Sequence, residues 1–251
     1  MPEPRLKKIA FLAPRPGMSL PDFAAYWRGT HGPTVANAPD YAAYRSRYAQ
    51  NHNCGPGPVG APFPHPGAAI FHLPGDGSNE AAFSRSPTYR DHIRVDELNF
   101  IDMDRTLSMA ATETQVRPGS GPAKLLIVGH RRDGLTRAAF EQRLTAAAAQ
   151  ALRDDPEFAA RLRGWAQNHV VEGSFSLPGA RPSTTAKIDC IEDVWFDQET
   201  NLVSLLSSPG FQTYVAPVWR DLYAPADLFS FRAEEIVFFD AGRPTGEAAR
   251  S

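Results

Sequence analysis

The tetrapeptide Ala49-Gln50-Asn51-His52 occurs a second time as Ala166-Gln167-Asn168-His169, 117 positions later in a chain of 251 residues. Each copy directly follows an aromatic residue, Tyr48 in the first and Trp165 in the second. A separation close to half of the chain length indicates an internal duplication, in which one structural unit is used twice. The two halves can therefore be compared position by position, and a difference between them points to a function that only one half carries.

Bulk composition restricts the class of protein and its partners. The formal net charge is −2, with 42% hydrophobic and 22% charged residues, which is ordinary for a soluble globular protein. The sequence has no basic block and no apolar run of membrane-spanning length, so neither nucleic acid nor a membrane is an expected partner. It begins without a signal-peptide core, and Cys54 and Cys190 form no disulfide or metal-binding spacing, so we expect a cytoplasmic protein.

Apolar runs and helix caps predict the order strand-helix-strand-strand-helix-strand in each half. The first half is expected to have strands at 8–13, 44–52, 68–73 and 105–116, with helices at 19–30 and 79–86. The second half is expected to have strands at 124–129, 161–170, 188–196 and 234–239, with helices at 137–151 and 199–207. We expect His31-Gly32-Pro33 to end the first helix, and 53–67 and 171–186 to be loops.

This element order is that of a ferredoxin-like βαββαβ unit, whose helices cover one face of a sheet and leave the other bare. A second copy on the same chain can cover the bare face. We therefore expect an α+β fold in which two ferredoxin-like repeats, 1–117 and 123–242, pack sheet to sheet as a pseudo-dimeric α/β barrel. Residues 118–122 would be the linker and 243–251 a flexible tail. This arrangement allows a homo-oligomer but does not require one.

Several short segments also carry a family pattern. Pro16-Gly17-Met18-Ser19, Phe23, Tyr26-Trp27-Arg28 and His31-Gly32-Pro33 resemble the opening of EthD-type members of the dimeric α/β-barrel superfamily. Later segments resemble that family too, namely Asp96-Glu97, Phe100-Ile101-Asp102, Val194-Trp195-Phe196-Asp197 and Ser208-Pro209. The resemblance implies the barrel fold. It implies no single reaction, because proteins of this fold include cofactor-free monooxygenases, isomerases, cyclases and decarboxylases.

The histidines are the candidate acid/base groups, and five of the seven lie in the first half. His31 belongs to the family-like opening, and Ala148 stands at its place in the second half. The alternative for His31 is a structural role, because a positively charged side chain interacts favourably with the C-terminal end of a helix. His72 lies in an apolar strand, with Trp195 as its approximate counterpart. The resemblance places His92 and Tyr89 near the catalytic histidine of polyketide-cyclising relatives.

The repeated tetrapeptide allows two interpretations. By the two-residue period of a strand, Tyr48, Gln50 and His52 share one face. They could line a pocket, with His52 as acid or base and Gln50 donating to a substrate carbonyl. Because both halves retain the tetrapeptide, it could instead be structural.

Aromatic side chains could line the same pocket, although each is first of all a candidate for the core. The substrate-binding candidates are Gln50, Tyr48, Tyr26, Trp27 and Phe71. His65, between two prolines, is expected to be exposed. No local ligand spacing supports a metal held by His52, His72 and His92, and no cofactor-binding motif is present.

These features predict a cofactor-free acid/base enzyme of the lyase or cyclase type. The expected substrate is a small hydrophobic molecule, aromatic or polyketide-like. Two alternatives stay open: a cofactor-independent monooxygenase of the same fold, and a non-catalytic protein that binds a small molecule.

Overall fold

Eight antiparallel strands close into a barrel in a computed structural model that describes residues 5–75, 77, 79–171, 178–182 and 187–242. Helices lie outside the barrel, so the fold is α+β, as predicted. The predicted tail at 243–251 and most of the predicted loop at 171–186 lie outside the described residues.

The first half supplies strands and helices in alternation. Its strands are β1 (Arg5–Phe11), β2 (Arg47–Pro56), β3 (Ala61–Pro62), β4 (Gly67–His72) and β5 (Leu107–Arg117). Its helices are α1 (Leu20–Tyr26), α2 (Gly32–Ala36), α3 (Glu80–Phe83) and α4 (Arg94–Phe100), with π-helical turns at Trp27–His31 and Thr88–Ile93 and a 3₁₀ turn at Tyr41–Ala43.

The second half follows a similar order. Its strands are β6 (Ala123–Arg131), β7 (Leu162–Val170), β8 (Arg181–Pro182), β9 (Cys190–Phe196) and β10 (Tyr223–Asp240). Its helices are α5 (Arg137–Asp154), α6 (Pro156–Arg161), α7 (Thr200–Leu206) and α8 (Ala216–Leu222), with a π-helical turn at Phe211–Val215.

Two seams between the halves close the barrel. Strands of the first half lie in the order β5-β1-β4-β2, and those of the second in the corresponding order β10-β6-β9-β7. Hydrogen bonds between β2 and β10, and between β5 and β7, join the two sheets at their edges. The halves therefore meet edge to edge along the seams, while their inner faces oppose each other across the barrel.

Three apolar clusters result from this arrangement. The barrel interior is filled at one end by side chains from both halves, including Ile9, Phe11, Met109, Val128 and Phe231. Two outer clusters lie between the barrel and the helices, one for each half. Each main strand is therefore apolar on both faces over part of its length, which explains the continuous apolar runs in the sequence.

The helical regions depart furthest from the predictions. His31-Gly32-Pro33 does not end the first helix: the chain stays helical to Ala36 through a π-helical turn, in which the Gly32 N–H donates to the Trp27 carbonyl oxygen. Pro33 is tolerated because it lies in the first turn of α2, where its missing N–H is not needed.

Two Ser-Pro pairs start helical segments that the sequence patterns missed. The Ser86 hydroxyl accepts from the Tyr89 N–H at 3.2 Å, and the Ser208 hydroxyl accepts from the Phe211 N–H at 3.3 Å. Serine and proline suit a helix N-terminus as well as a position after a helix, so the pattern alone was ambiguous. Strand β10 is also much longer than the predicted 234–239, because it pairs with β6 and then with β2.

Replacing Gly67 on β4 should destabilise the protein, because a Cβ atom there would lie 2.3 Å from the Asn51 carbonyl oxygen and 2.7 Å from the Trp27 ring. We expect Gly67→Ala to lower the free energy of unfolding by roughly 1–3 kcal/mol, the usual cost of overpacking. Gly29→Ala is the matched control, since nothing lies within 4 Å of its Cβ position. Urea unfolding measures both, and equal stabilities would contradict the packing of Trp27 on β4.

Candidate functional site

A histidine-carboxylate pair, of which the histidine is buried and the carboxylate largely so, lies between the helices of the first half. His31 Nδ1 is 2.7 Å from Asp96 Oδ2, and the Tyr26 hydroxyl donates to Asp96 Oδ1 at 2.6 Å. His31 is 4% exposed, and its ring lies 4.7 Å from the Phe100 ring. Both oxygens of Asp96 are thus engaged, and the imidazole is held in one orientation.

Local backbone structure sets the position of His31. It is the last residue of the π-helical turn Trp27–His31, which inserts one extra residue into the helical path between α1 and α2. The corresponding helix of the second half, α5, is α-helical throughout and has Ala148 at the matching position. The third residue of α4 is Asp96, whereas the third residue of α8 is Val218. Both members of the pair are therefore replaced by apolar residues in the second half.

Electrostatics make this pair suitable for accepting a proton. Burial by itself would raise the pKa of Asp96, but the hydrogen bonds from His31 and Tyr26 outweigh it, so the pKa is lowered. Asp96 therefore stays ionised near neutral pH and accepts from His31 Nδ1–H. In the tautomer that donates from Nδ1, the imidazole lone pair lies on Nε2, which is the arrangement of a general base oriented by a carboxylate.

A second polar chain lies on the outer face of β2. Gln50 Oε1 accepts from His52 Nε2 at 2.8 Å, and Gln50 Nε2 donates to the Tyr48 hydroxyl at 2.9 Å and the Trp27 carbonyl at 2.7 Å. The Gln50 amide is thus engaged within the protein. Burial lowers the pKa of His52 to about 4, with a smaller effect of Arg28, so His52 is neutral at pH 7.

The second copy of the tetrapeptide repeats the bond from strand to helix. Gln167 Nε2 donates to the Leu144 carbonyl at 3.4 Å, and Leu144 occupies the place of Trp27. Gln167 Nε2 also donates to the buried Glu192 carboxylate at 3.1 Å. The contact that both glutamines make is therefore structural: it fastens the second strand of each half to the first helix.

Tyr89 and His92 lie on the same π-helical turn but in different environments. The buried Tyr89 hydroxyl donates to Glu97 Oε2 at 2.8 Å, and burial, followed by the Glu97 charge, raises the tyrosine pKa. His92 is exposed. Phe211 and Trp219 replace the Tyr89–Glu97 pair in the second half, by their places in the Phe211–Val215 turn and in α8.

A cavity of about 720 Å³ opens at one end of the barrel, and His72 is the only predicted catalytic residue that lines it. Burial, with Lys7 and Arg47 nearby, lowers the pKa of His72 to about 3. His72 pairs with Lys7 across the sheet just as Trp195 pairs with Lys124, which confirms Trp195 as its counterpart. We call this space the barrel-end cavity.

The predicted site residues thus fall in several places and do not converge on one void. His72 lies at the barrel end and His92 lies on the surface. The remaining candidates lie between the helices and the sheet of the first half, namely His31, Tyr26, His52, Gln50, Tyr48, Trp27 and Tyr89. Phe71 stacks on Tyr48 at 4.8 Å between ring centroids, which makes it part of the outer cluster. His65, predicted to be exposed, is instead half-buried, with Nδ1 3.2 Å from the Leu12 carbonyl and its ring against Phe63.

Sequence reasoning missed the charged residues of the barrel-end cavity and the acidic partner of His31. A signal for the former existed, since Lys7 and Lys124 are separated by the same 117 positions as the tetrapeptides. Within the described residues, no group of three or more histidine, cysteine, aspartate or glutamate side chains is arranged to hold a metal ion. In that same part of the chain, no helix has the length and apolarity needed to cross a membrane.

The buried carboxyl group of Glu192, in the second half, should make the stability of the protein depend on pH. Burial raises its pKa from 4.5 to about 7, although Gln167, Tyr223 and Trp165 donate hydrogen bonds to it. The folded state therefore holds this proton more tightly than the unfolded chain. Between about pH 4.5 and 7, rising pH should remove roughly 3 kcal/mol of stability through this group.

We expect Glu192→Gln to abolish that component, because glutamine mimics the neutral acid. The variant should be more stable than the unaltered protein at pH 8, measured as the difference in urea unfolding free energy across pH 5–8. Glu157→Gln is the control, since that side chain is 81% exposed. If the free energy of unfolding of Glu192→Gln depends on pH as that of the unaltered protein does, the Glu192 carboxylate is ionised in the folded protein.

Comparison with known proteins supports the family resemblance. Residues 15–104 match the EthD domain family. This confirms the resemblance inferred from the opening segments. No curated protein sequence matches the chain.

Solved structures share the fold at very low sequence identity. One, from Lactobacillus acidophilus NCFM and proposed to be a monooxygenase, has a TM-score of 0.56 at 8% identity, with 95% of this chain and 97% of that chain covered. An anthrone oxidase-like protein has a TM-score of 0.54 at 11% identity, with 98% and 97% covered. A Fusobacterium nucleatum protein, also proposed to be a monooxygenase, has a TM-score of 0.53 at 8% identity, with 94% and 92% covered. These similarities place the chain among the dimeric α/β-barrel folds.

Proposed function

We propose that this EthD-domain protein is a cofactor-free acid/base enzyme of the lyase or cyclase type, in which His31 is the general base. One observation carries the proposal: the part-buried hydrogen bond between His31 and Asp96 exists in the first half, while Ala148 and Val218 occupy the matching places in the second. Removing such a histidine-carboxylate pair from most of its water costs free energy, so stability alone is a weak reason to keep it. Its presence on one side of a duplicated scaffold supports chemistry on that side.

The proposal includes the duplication itself: two ferredoxin-like βαββαβ repeats, one of which has lost the polar pair. The equal strand order in the two halves supports this. So do the repeated bonds from Gln50 and Gln167 to a helix carbonyl.

In the proposed reaction, His31 Nε2 removes a proton from a carbon atom activated by a neighbouring carbonyl. Asp96 stabilises the imidazolium that forms and does not itself take the proton, because its pKa is lowered. Tyr26 acts as a positioning residue through its bond to Asp96. Stabilising the developing enolate would require the Tyr89 hydroxyl to exchange its bond to Glu97, or the His52 Nε2–H to exchange its bond to Gln50, for a bond to the substrate.

The surroundings of the pair support a flat, hydrophobic substrate, aromatic or polyketide-like. The rings of Phe23, Tyr26, Trp27 and Phe100 form a continuous series of contacts beside His31. Aromatic walls with a few directed polar groups are typical of pockets for such ligands.

Anthrone provides a test, because its CH₂ group is acidic and its ring system is flat. We expect the protein to catalyse exchange of these hydrogens with D₂O under nitrogen, followed by proton NMR. His31→Gln retains a donor for Asp96 but lacks a base, so exchange should fall by about 10²–10⁴-fold. His92→Ala, at the exposed histidine, should exchange at the original rate.

Two outcomes would count against the proposal. One is that the unaltered protein exchanges the CH₂ hydrogens of anthrone no faster than buffer alone does. The other is full exchange by a folded His31→Gln variant.

A cofactor-independent monooxygenase is the second candidate, favoured by the fold shared with the anthrone oxidase-like protein. The same proton removal would give a carbanion that reacts with O₂, and anthrone plus O₂ would yield anthraquinone plus water. Oxygen uptake coupled to quinone formation in air would select this function. Exchange without oxygen uptake would select the lyase or cyclase type.

A further inference from the structure

The barrel-end cavity has a floor of buried charged side chains. Lys7 and Lys124 are each 2% exposed, and Asp193 lies between them, 3.5 Å from Lys7 Nζ and 2.8 Å from Lys124 Nζ. Burying such ions costs several kcal/mol each, and apolar side chains of similar volume often pack as stably. Much of the remaining barrel interior is filled in that apolar way. Barrel stability alone therefore does not account for the charges.

The charged residues of the floor occupy matching positions in the two halves, with one exception. Lys7 pairs with Glu113, and Lys124 lies 3.3 Å from Glu235, so each half supplies an equivalent lysine-glutamate pair. Asp193 breaks the symmetry, because the register places Ile70 at its counterpart on β4. The two halves thus differ inside the barrel as well as outside it.

The carboxylates of the floor are already well supplied with donors. Glu113 accepts from Gln115 at 2.9 Å, Asp193 accepts from Asn168 at 2.8 Å, and Glu235 accepts from Trp195 at 2.7 Å, all in addition to the lysines. A ligand that offers hydrogen-bond donors would find these acceptors occupied.

The rim of the cavity, in contrast, has donors to spare. Arg5 is 65% exposed and only reaches Glu113 at 4.0 Å. Arg117 donates to the carbonyl oxygen of Ala159, which is a neutral partner. Within the described residues, no carboxylate lies within ion-pair distance of Arg117. Arg47 bonds Glu235 at 2.5 Å, yet a guanidinium has five N–H groups. An anionic group is the chemical complement of such a rim.

The walls are partly apolar. Ile70, Leu73 and Val237 line the cavity, and Trp195 lies at its edge beneath Lys124, 4.4 Å from ring centroid to Nζ. A volume of about 720 Å³ is within the usual range for small-molecule sites. The space therefore suits an organic molecule with an anionic end.

From these contacts we propose that the barrel-end cavity is a second binding site, one that takes a small organic carboxylate. The carboxylate binds the guanidinium groups of Arg5 and Arg117, and the apolar part lies against Ile70 and Val237. This site is on the inner face of the barrel, whereas the His31–Asp96 pair is on the outer side, so the proposal does not depend on the acid/base function.

Benzoate, phenylacetate and cinnamate are suitable probes, with benzamide as the uncharged counterpart of benzoate. We expect at least one of the carboxylates to bind with a dissociation constant below 10 mM in titration calorimetry, an order-of-magnitude threshold for a weak specific site. The same carboxylate should raise the melting temperature. Benzamide should bind at least about tenfold more weakly, because it loses the charge-assisted hydrogen bonds.

Two variants locate the binding. Arg5→Gln should weaken it about tenfold, whereas Arg90→Gln, which removes a similarly exposed arginine on the helical side, should leave it unchanged. Val237→Trp should abolish it by filling the cavity, and this position is 41% exposed, so the larger side chain can be accommodated without disturbing the charged floor.

Any of three results would overturn the proposal: no binding by the three carboxylates, equal binding of benzamide, or equal effects of Arg5→Gln and Arg90→Gln. His31→Gln separates this site from the acid/base site. Binding that persists in that variant supports a separate site, and binding that disappears shows that the probe occupies the other one.

Discussion

The structure depends on the closure of its sheet at two seams. Strand β2 of the first half pairs with β10 of the second, and β5 pairs with β7, so none of the eight barrel strands is left with a free edge. Closure gives every barrel strand an inner face and an outer face. It also forces the inner faces of the two halves to share one core.

Closure also separates the chemistry of neighbouring residues. In the first tetrapeptide, Gln50 and His52 lie under the helices, while Asn51, opposite Glu235 in the register, lies inside the barrel. One short motif therefore serves two compartments. The bond from glutamine to a helix carbonyl recurs in both halves, so its retention reflects the joining of helix to sheet.

The two outer layers differ in polarity although the two halves share one strand order. A buried polar group needs a partner, so changes at such positions come in pairs. His31 and Asp96 are matched by Ala148 and Val218, and Tyr89 and Glu97 by Phe211 and Trp219. The second half instead buries Glu192 under Trp165, Gln167 and Tyr223. The same backbone thus supports a polar layer in one half and a mostly apolar one in the other.

The sequence by itself indicated a duplication, located most of the long strands and contained the EthD-like opening, because apolar runs and short motifs are local signals. It did not determine where helices end: π-helical turns at Trp27–His31 and Thr88–Ile93 let the chain continue past residues that usually stop a helix. Only the tertiary structure decided which side chains meet. His31 and Asp96 are 65 positions apart, and Lys7 meets Asp193 across the whole barrel. Such contacts depend on strand register and barrel closure, which no local pattern encodes.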